Sequence, residues 1–232
     1  MHSTSALYQQ LRKNPGSVEE KKLEIAGVEY LQSEIISGKV SGGSFSKFSI
    51  GNCASRQADF EIFPKGDIPK AAEIKVFLRY KYGNQVSEWV PKGVFFISTR
   101  KKNKITGAYS FTAFDAMLKA EDTWLDNSHA AVNWPMPAAD AVSDIAEKMG
   151  VEVDPRTSLT ASFPVEFPVG EAGDYSMREV LSYIAVSNAG NWVITDDGKL
   201  RLLRRGELPP ETHYLVNEAG GAILFGSVRI LV

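Results

Sequence analysis

The sequence predicts a mainly β protein of the α+β class: a barrel- or sandwich-like β domain with a small inserted α/β subdomain carrying two helices. Three observations predict it. From residue 23 to about residue 114, short runs of β-branched and aromatic residues are bounded by Gly, Pro, Asn and Asp, the pattern of many strands separated by turns. Between 133 and 205 the period lengthens to that of helices, twice, and then shortens to a hairpin. Beyond Pro209-Pro210 the sequence turns β once more. The division that follows is an N-terminal arm (1–22), a β-barrel-like domain (23–132), an inserted helix–helix–hairpin subdomain (133–205) and a return to the β domain (206–232).

Residues 6–14 predict a short helix with Leu7, Tyr8 and Leu11 on one face, stopped by Asn14-Pro15-Gly16. With the charged stretch Glu19-Glu20-Lys21-Lys22 behind it, this leader reads as a docking arm or frayed terminus rather than as part of a core. The strands come next. Residues 40–51 alternate about Phe45, Phe48 and Ile50. Residues 58–62 alternate and stop at Pro64, and 73–80 form a strong strand with Tyr82-Gly83-Asn84 as its turn. The run 88–97 carries Pro91, which marks a bulge or an edge, and 107–114 supplies a further strand.

Ala116-Met117-Leu118-Lys119-Ala120-Glu121 is built of helix formers and predicts one or two turns. Asn133-Trp134-Pro135-Met136-Pro137 is a stiff connector opening a helix over 138–149, with Val142, Ile145, Ala146 and Met149 on one face and Gly150 as C-cap. Residues 151–173 read as extended loop and short strand. Ser176 and Glu179 stand at capping-box spacing, followed by Met177, Val180, Leu181, Ile184 and Ala185 at helical spacing and Gly190 as terminator. Residues 191–195 and 199–203 then form a hairpin around Asp196-Asp197-Gly198, read as a two-residue turn. The sequence ends inside an apolar strand, so either that strand pairs with something or the chain is a fragment of a longer one.

The bulk numbers bound the function. A chain of 232 residues makes one large or two small domains. With 44% hydrophobic and 23% charged residues it has material for a real core, which argues against global disorder. A net charge of -2 disfavours a dedicated nucleic-acid binder. The one cysteine, Cys53, excludes an intrachain disulfide, fits a reducing compartment and reads as a small, partly buried apolar residue. The N-terminus holds no apolar core of signal-peptide length, and no apolar run approaches the roughly 20 residues of a membrane span. The expectation is a soluble chain with no membrane anchor, not exported by the usual route.

Chemistry-bearing motifs are scarce. His2, His129 and His213 stand far apart, without the short-spaced His/Cys pairs of a zinc site. There is no Gly-x-Ser-x-Gly, and the glycine-rich stretch 38–51 lacks the lysine of a phosphate loop. Asp196-Asp197, near Glu207, reads as turn chemistry rather than as a calcium or glycosidase site. Glu166, Glu171 and Asp174 form a loose acidic loop. Arg100-Lys101-Lys102-Asn103-Lys104 is the one basic run; it reads as a hairpin tip, with contact to DNA or to an acidic partner left open. Trp89, Trp124, Trp134 and Trp192 are scattered singly, as packing residues are. The sequence thus offers no catalytic, cofactor-binding or metal-binding residues, and predicts a protein that is not an enzyme and carries no cofactor.

Several segments taken together resemble a known family. Ile50-Gly51-Asn52-Cys53-Ala54-Ser55, the strand from Glu88 through Trp89, Pro91 and Gly93 to Ile97, and Tyr109 through Asp115 to Leu118 are similar to tail proteins of phages and prophages of Gram-positive bacteria. So is the run from Ser176 and Glu179 to Ala185, continuing through Trp192, Asp197 and Gly198 to Leu200. The order and spacing resemble the baseplate-hub or tail-associated (tail tip) family over residues 25–203. The residues that carry the signature are Trp89, Pro91, Gly93, Asp115, Ser176, Glu179, Trp192, Asp197 and Gly198.

The resemblance implies a homotrimeric ring, made of a β-barrel tube domain with a helix-bearing insertion. Such a ring joins the tail tube to distal tail or baseplate proteins, in a virion tail or tail-like particle assembled in the host cytoplasm. It also implies transient passage of DNA. Some relatives carry a C-terminal extension with peptidoglycan-cleaving or receptor-binding activity; for this chain the expectation is that none is present, which argues against a lysin role. The alternatives are a tail-associated cell-wall hydrolase using carboxylates such as Glu166, Asp174 or Glu207, or a glycan-binding module with tryptophans clustered on one face.

Overall fold

The computed structural model describes residues 4–42, 49–124, 134–160, 164–165, 175–204, 224–225 and 228–229. The first element is helix α1 (Ala6–Lys13), capped by the Ser5 hydroxyl, which accepts from the Tyr8 amide, and ended at Asn14 ahead of Pro15. It is followed by strands β1 (Val18–Ile25), β2 (Val28–Tyr30), β3 (Ile35–Gly42), β4 (Cys53–Ala54), β5 (Arg56–Ile62), β6 (Glu73–Tyr82), β7 (Gln85–Val86), β8 (Val90–Lys102) and β9 (Tyr109–Phe114). A 310 helix spans Ala116–Glu121.

All of these strands except β4 belong to one antiparallel sheet, in the order β2-β1-β6-β8-β9-β5-β3, with β7 on the free part of β6. The ends of this path, β2 and β3, are joined by residues 31–34 alone. Six inter-strand steps of about 4.8 Å would put the ends of a flat sheet about 29 Å apart. The connection spans at most about 18 Å. The sheet must therefore curl, and it forms a half-barrel. Bulges help it do so. Ile36, Lys92 and Ser98 are extra residues in the ladders at Ile35/Ser37, Val76/Phe77 and Ile97/Thr99, and each adds local twist. Inside the curl every strand of the path places residues in one core, among them Leu23, Tyr30, Ile35, Phe60, Ile74, Phe95 and Phe111.

The bulge near Pro91 rests on Gly93. Its φ is +142°, and a methyl group there would lie 2.6 Å from the Phe95 ring. Gly93→Ala is expected to destabilise the fold by about 2–3 kcal/mol, through backbone strain and overpacking. Urea unfolding of the two proteins measures this directly.

A second layer packs on the outside of the sheet. It consists of α2 (Ala138–Met149), α3 (Met177–Ser187), β12 (Gly190–Ile194) and β13 (Leu200–Arg204), together with β4 and the 310 helix. Small two-residue strands, β10 (Met136–Pro137) and β11 (Pro164–Val165), pair beside α2. β12 pairs antiparallel with β13 and parallel with β4. Met117, Trp124, Ile145, Met149, Leu181, Trp192 and Leu202 fill the core of this layer. A final pair, β14 (Leu224–Phe225) and β15 (Val228–Arg229), forms a separate two-stranded sheet.

Several expectations change in detail. The leader is not free of the core. Tyr8 and Leu11 are 2% and 1% exposed, Tyr8 meets the Tyr80 ring edge-on at 5.3 Å, and the sheet begins at Val18, inside the segment expected to be an arm. The Ser5 amide and hydroxyl donate to the Glu88 carboxylate at 2.7 and 2.6 Å, which clamps the helix start to the sheet. α3 ends at Ser187 with Asn188 as its cap, before Gly190. Gly190 instead opens β12, where a Cβ would stand 2.8 Å from the Leu203 carbonyl oxygen. The hairpin turn has three residues, not two. Thr195 and Lys199 close it at 2.8 Å, and Gly198 takes φ +78°, the left-handed residue that three-residue hairpin loops favour. The second layer also reaches back before residue 133, recruiting Cys53, Met117, Ala120 and Trp124. Residues 43–48 and 205–223, where further strand was expected, lie outside the described residues.

Candidate assembly surface and its supporting junction

The two layers are tied at one junction, and the residue at its centre is Arg56, the first residue of β5. Its guanidinium donates to Asp196 Oδ1 at 2.6 Å, to the Lys92 carbonyl at 3.2 Å and to the Thr195 carbonyl at 3.2 Å. It also lies 3.5 Å from the Asp115 carboxylate and over the Phe95 ring at 5.5 Å. One side chain thus fastens the β8 bulge, the β12–β13 turn and the end of β9. The planar fork of arginine suits this, because it offers several donors in fixed directions.

Asp115 is fully buried and caps the 310 helix. It accepts from the Ser55 hydroxyl (3.0 Å), the Arg56 amide (2.9 Å) and the Met117 amide (3.2 Å). Burial pushes its pKa up, and those donors with Arg56 oppose the shift. On the far side of β4, Arg178 of α3 donates to the carbonyls of Cys53 and Met117 (3.0 Å for the latter) and pairs with Glu121 at 2.7 Å. The Cys53 thiol is buried and its pKa is pushed up to about 12 by desolvation. Burial of this kind disfavours the thiolate form.

Of the signature residues, Gly93, Asp115, Asp197 and Gly198 gather around this junction. Gly198 brings the turn against Val94, where a Cβ would lie 3.3 Å from the valine side chain. Trp192 sits at the centre of the second layer, 0% exposed, its indole N–H donating to the Leu181 carbonyl at 2.8 Å. Ser176 and Glu179 cap α3 reciprocally. Trp89 and Pro91 stand apart on the outer face of the sheet. There the Arg79 guanidinium lies 4.3 Å from the Trp89 ring centre and pairs with Glu20 at 2.6 Å.

A second ionic clasp holds the loop before the hairpin. Arg156 grips the 3%-exposed Asp154 carboxylate with Nε at 2.8 Å and Nη2 at 2.6 Å. The hydrogen bonds from the Arg156 side chain depress the Asp154 pKa to about 2, below its ordinary 3.8. A depressed carboxylate pKa gives stability that is present above the unfolded value and lost as pH falls through the folded one. Asp154→Asn is therefore expected to cost about 1–2 kcal/mol at neutral pH. Thermal unfolding across pH should show the difference from the unaltered protein shrinking between pH 4 and pH 2.

Among the described residues, no group of three His, Cys, Asp or Glu side chains that could hold a metal ion comes together. His2, His129, His213, Glu166, Glu171, Asp174 and Glu207 lie outside the described residues. An open groove of about 710 Å³ crosses β3, β5, β9 and β8 and is lined by Lys39, Asp59, Glu61, Thr99 and Lys101. Its Asp59 already accepts from Thr112 at 2.7 Å and Gln57 at 2.8 Å. A cleft of about 390 Å³ between the layers runs past Lys75, Phe96 and Glu152, which pairs with Lys199 at 2.5 Å. No helix among the described residues is long and apolar enough to cross a membrane.

Among the described residues, the surface presents two terminal strands and several exposed apolar side chains. β2 and β3 are both terminal strands of the curled sheet. Leu31, Ile36 and Phe63, each nearly half exposed, lie along the seam between them. The Phe63 amide donates to the Glu34 carbonyl at 2.9 Å there. Ile50, Tyr183 and Val186 form another exposed group along α3. Open edges and apolar patches of this kind favour association.

No family model matches the chain, and no curated protein matches it. Solved structures do. The 43 kDa tail protein of prophage MuSo2 from Shewanella oneidensis superposes with a TM-score of 0.56 at 13% identity, over 85% of this chain and 59% of its own length. A tail protein from Neisseria meningitidis gives 0.55 at 15% identity, over 85% of this chain and 54% of its own. The chain spans between half and three fifths of the length of these neighbours. This chain thus shares its fold with the prophage MuSo2 tail protein and with the Neisseria tail protein.

Proposed function

We propose that this chain is a structural component of a phage tail or tail-like particle, a baseplate-hub or tail-tip ring that connects the tail tube to distal tip proteins. The single observation that supports this best is the likeness of its fold to a prophage tail protein and to a second tail protein, each over 85% of the chain. The physics of the surface agrees with it. A half-barrel with two open edges and apolar seam residues is completed by neighbours, and a ring of identical copies is a closed way of doing so. In this reading the chain forms a homotrimer, contacts the tube on one side and baseplate or tip proteins on the other, and encircles the path of the DNA. It works by assembly and carries out no reaction. Multi-angle light scattering of the purified chain, with cryo-EM of the particle, tests this: copies in multiples of three at the tail tip are expected. A chain that stays monomeric and is missing from purified tails would overturn it.

A further inference from the structure

The basic run Arg100-Lys101-Lys102-Asn103-Lys104 lies where β8 and β9 turn back, and it is not used in the assembly described above. β5 stops opposite Tyr109, so residues 103–108 extend beyond the neighbouring ladder. At their apex Ile105 is 95% exposed, against 61% for the next most exposed large apolar residue among the described residues, Tyr183. The loop that carries it is well tied. The Asn103 side chain accepts from the amides of Ile105 (2.9 Å) and Thr106 (3.2 Å), and the Thr106 hydroxyl from the Ala108 amide (3.3 Å). The Asn103 amide also donates to the Ala108 carbonyl at 2.8 Å, and its own carbonyl accepts from Gly107 at 2.9 Å. Such a turn needs polar residues and glycine, not an isoleucine. Holding that isoleucine in water forgoes the stabilisation of burying it.

Basic residues precede it. Arg100 is spoken for by Asp67 at 3.5 Å and by the Tyr109 ring, but Lys101, Lys102 and Lys104 are exposed. Lys102 lies 5.4 Å from the centre of the Tyr109 ring. On a chain whose net charge is -2, this places three exposed lysines within four residues of one exposed apolar side chain. A central apolar anchor within a charged rim is how protein interfaces are built. Phosphates would engage the lysines but leave the isoleucine with nothing to contact, so nucleic acid fits the tip less well.

We propose that the β8–β9 tip is a docking knob for a partner protein: Ile105 enters an apolar socket, and Lys101, Lys102 and Lys104 meet carboxylates on its rim. This does not depend on where in a particle the chain sits. The test uses the whole chain with its isoleucine methyl groups labelled for NMR and three probes: a short peptide of glutamates flanking leucines, the same peptide with glycines for leucines, and a DNA duplex of similar charge. The leucine peptide is expected to move the Ile105 methyl resonance and to bind about tenfold more tightly than the glycine peptide. Ile105→Ser should abolish that preference. Lys101→Glu with Lys102→Glu and Lys104→Glu should abolish binding of both peptides. Unchanged thermal midpoints would show that the variants fold. Equal binding of the two peptides, movement of the Ile105 methyl by DNA, or no response to any probe would overturn the proposal.

Discussion

Replacing Asp115 by alanine is expected to cost about 3–5 kcal/mol of stability, a large part of what a domain of this size possesses. The reason lies in what the carboxylate leaves behind. Its partners are the Arg56 and Met117 amides, the Ser55 hydroxyl and the Arg56 guanidinium, and at a fully buried site water does not replace it. Asparagine keeps one acceptor and should be milder. The pH dependence separates the two effects. Because burial raises the Asp115 pKa, the native state takes up that proton more readily than the unfolded chain does. Stability from this group therefore falls as pH climbs from the ordinary value of 3.8 through the raised one. The Asp115→Asn variant lacks this slope. Urea unfolding of the unaltered protein, Asp115→Ala and Asp115→Asn between pH 3 and pH 7 gives all three quantities; a loss below about 1 kcal/mol for alanine would contradict the junction as described.

Trp192→Ala should be comparably severe, about 3–5 kcal/mol, for a different reason. The indole is fully enclosed at the middle of the three-stranded sheet, where its residue pairs with Leu202 on one side and Cys53 on the other. Its amide also donates to the Asn52 carbonyl at 2.8 Å. Truncation removes that packing and leaves a cavity shared by α3, β4 and the 310 helix. Calorimetric unfolding checks the magnitude. Hydrogen exchange should show the amides of β12 losing protection before those of β6.

The elements that sequence made legible are those whose signals are local. Ser176 and Glu179 announced their mutual cap through spacing alone, and the Glu179 amide does donate to the Ser176 hydroxyl while the Ser176 amide donates to Glu179 Oε2. Gly150 ended α2 in the left-handed conformation expected of it. Pro91 marked an irregular place in β8, which proved to be a bulge. What escaped was built from distant parts. Arg56 reads as an ordinary polar residue of a half-buried strand, and its partners Lys92, Thr195 and Asp196 lie far along the chain. β4 is two residues long, too short for any period to reveal, yet it supplies the parallel partner of β12. The leader showed an apolar stripe in Tyr8 and Leu11 but not the Tyr80 ring or the Glu88 carboxylate that receives it. A face that docks is visible in one segment; its dock is not.

β4 and β5 form nearly one continuous run, separated only by Ser55. Cys53 and Ala54 are stitched into the outer layer, and Arg56 onward into the half-barrel. Force applied to α3 or its hairpin therefore enters the large sheet along a covalent tether of a single residue, with Arg56 and Arg178 as braces on either side. There is no slack at that point to absorb a swing. A load on one face of the molecule should therefore pass to the other with little give, and hydrogen exchange should show residues 53–57 among the better protected amides.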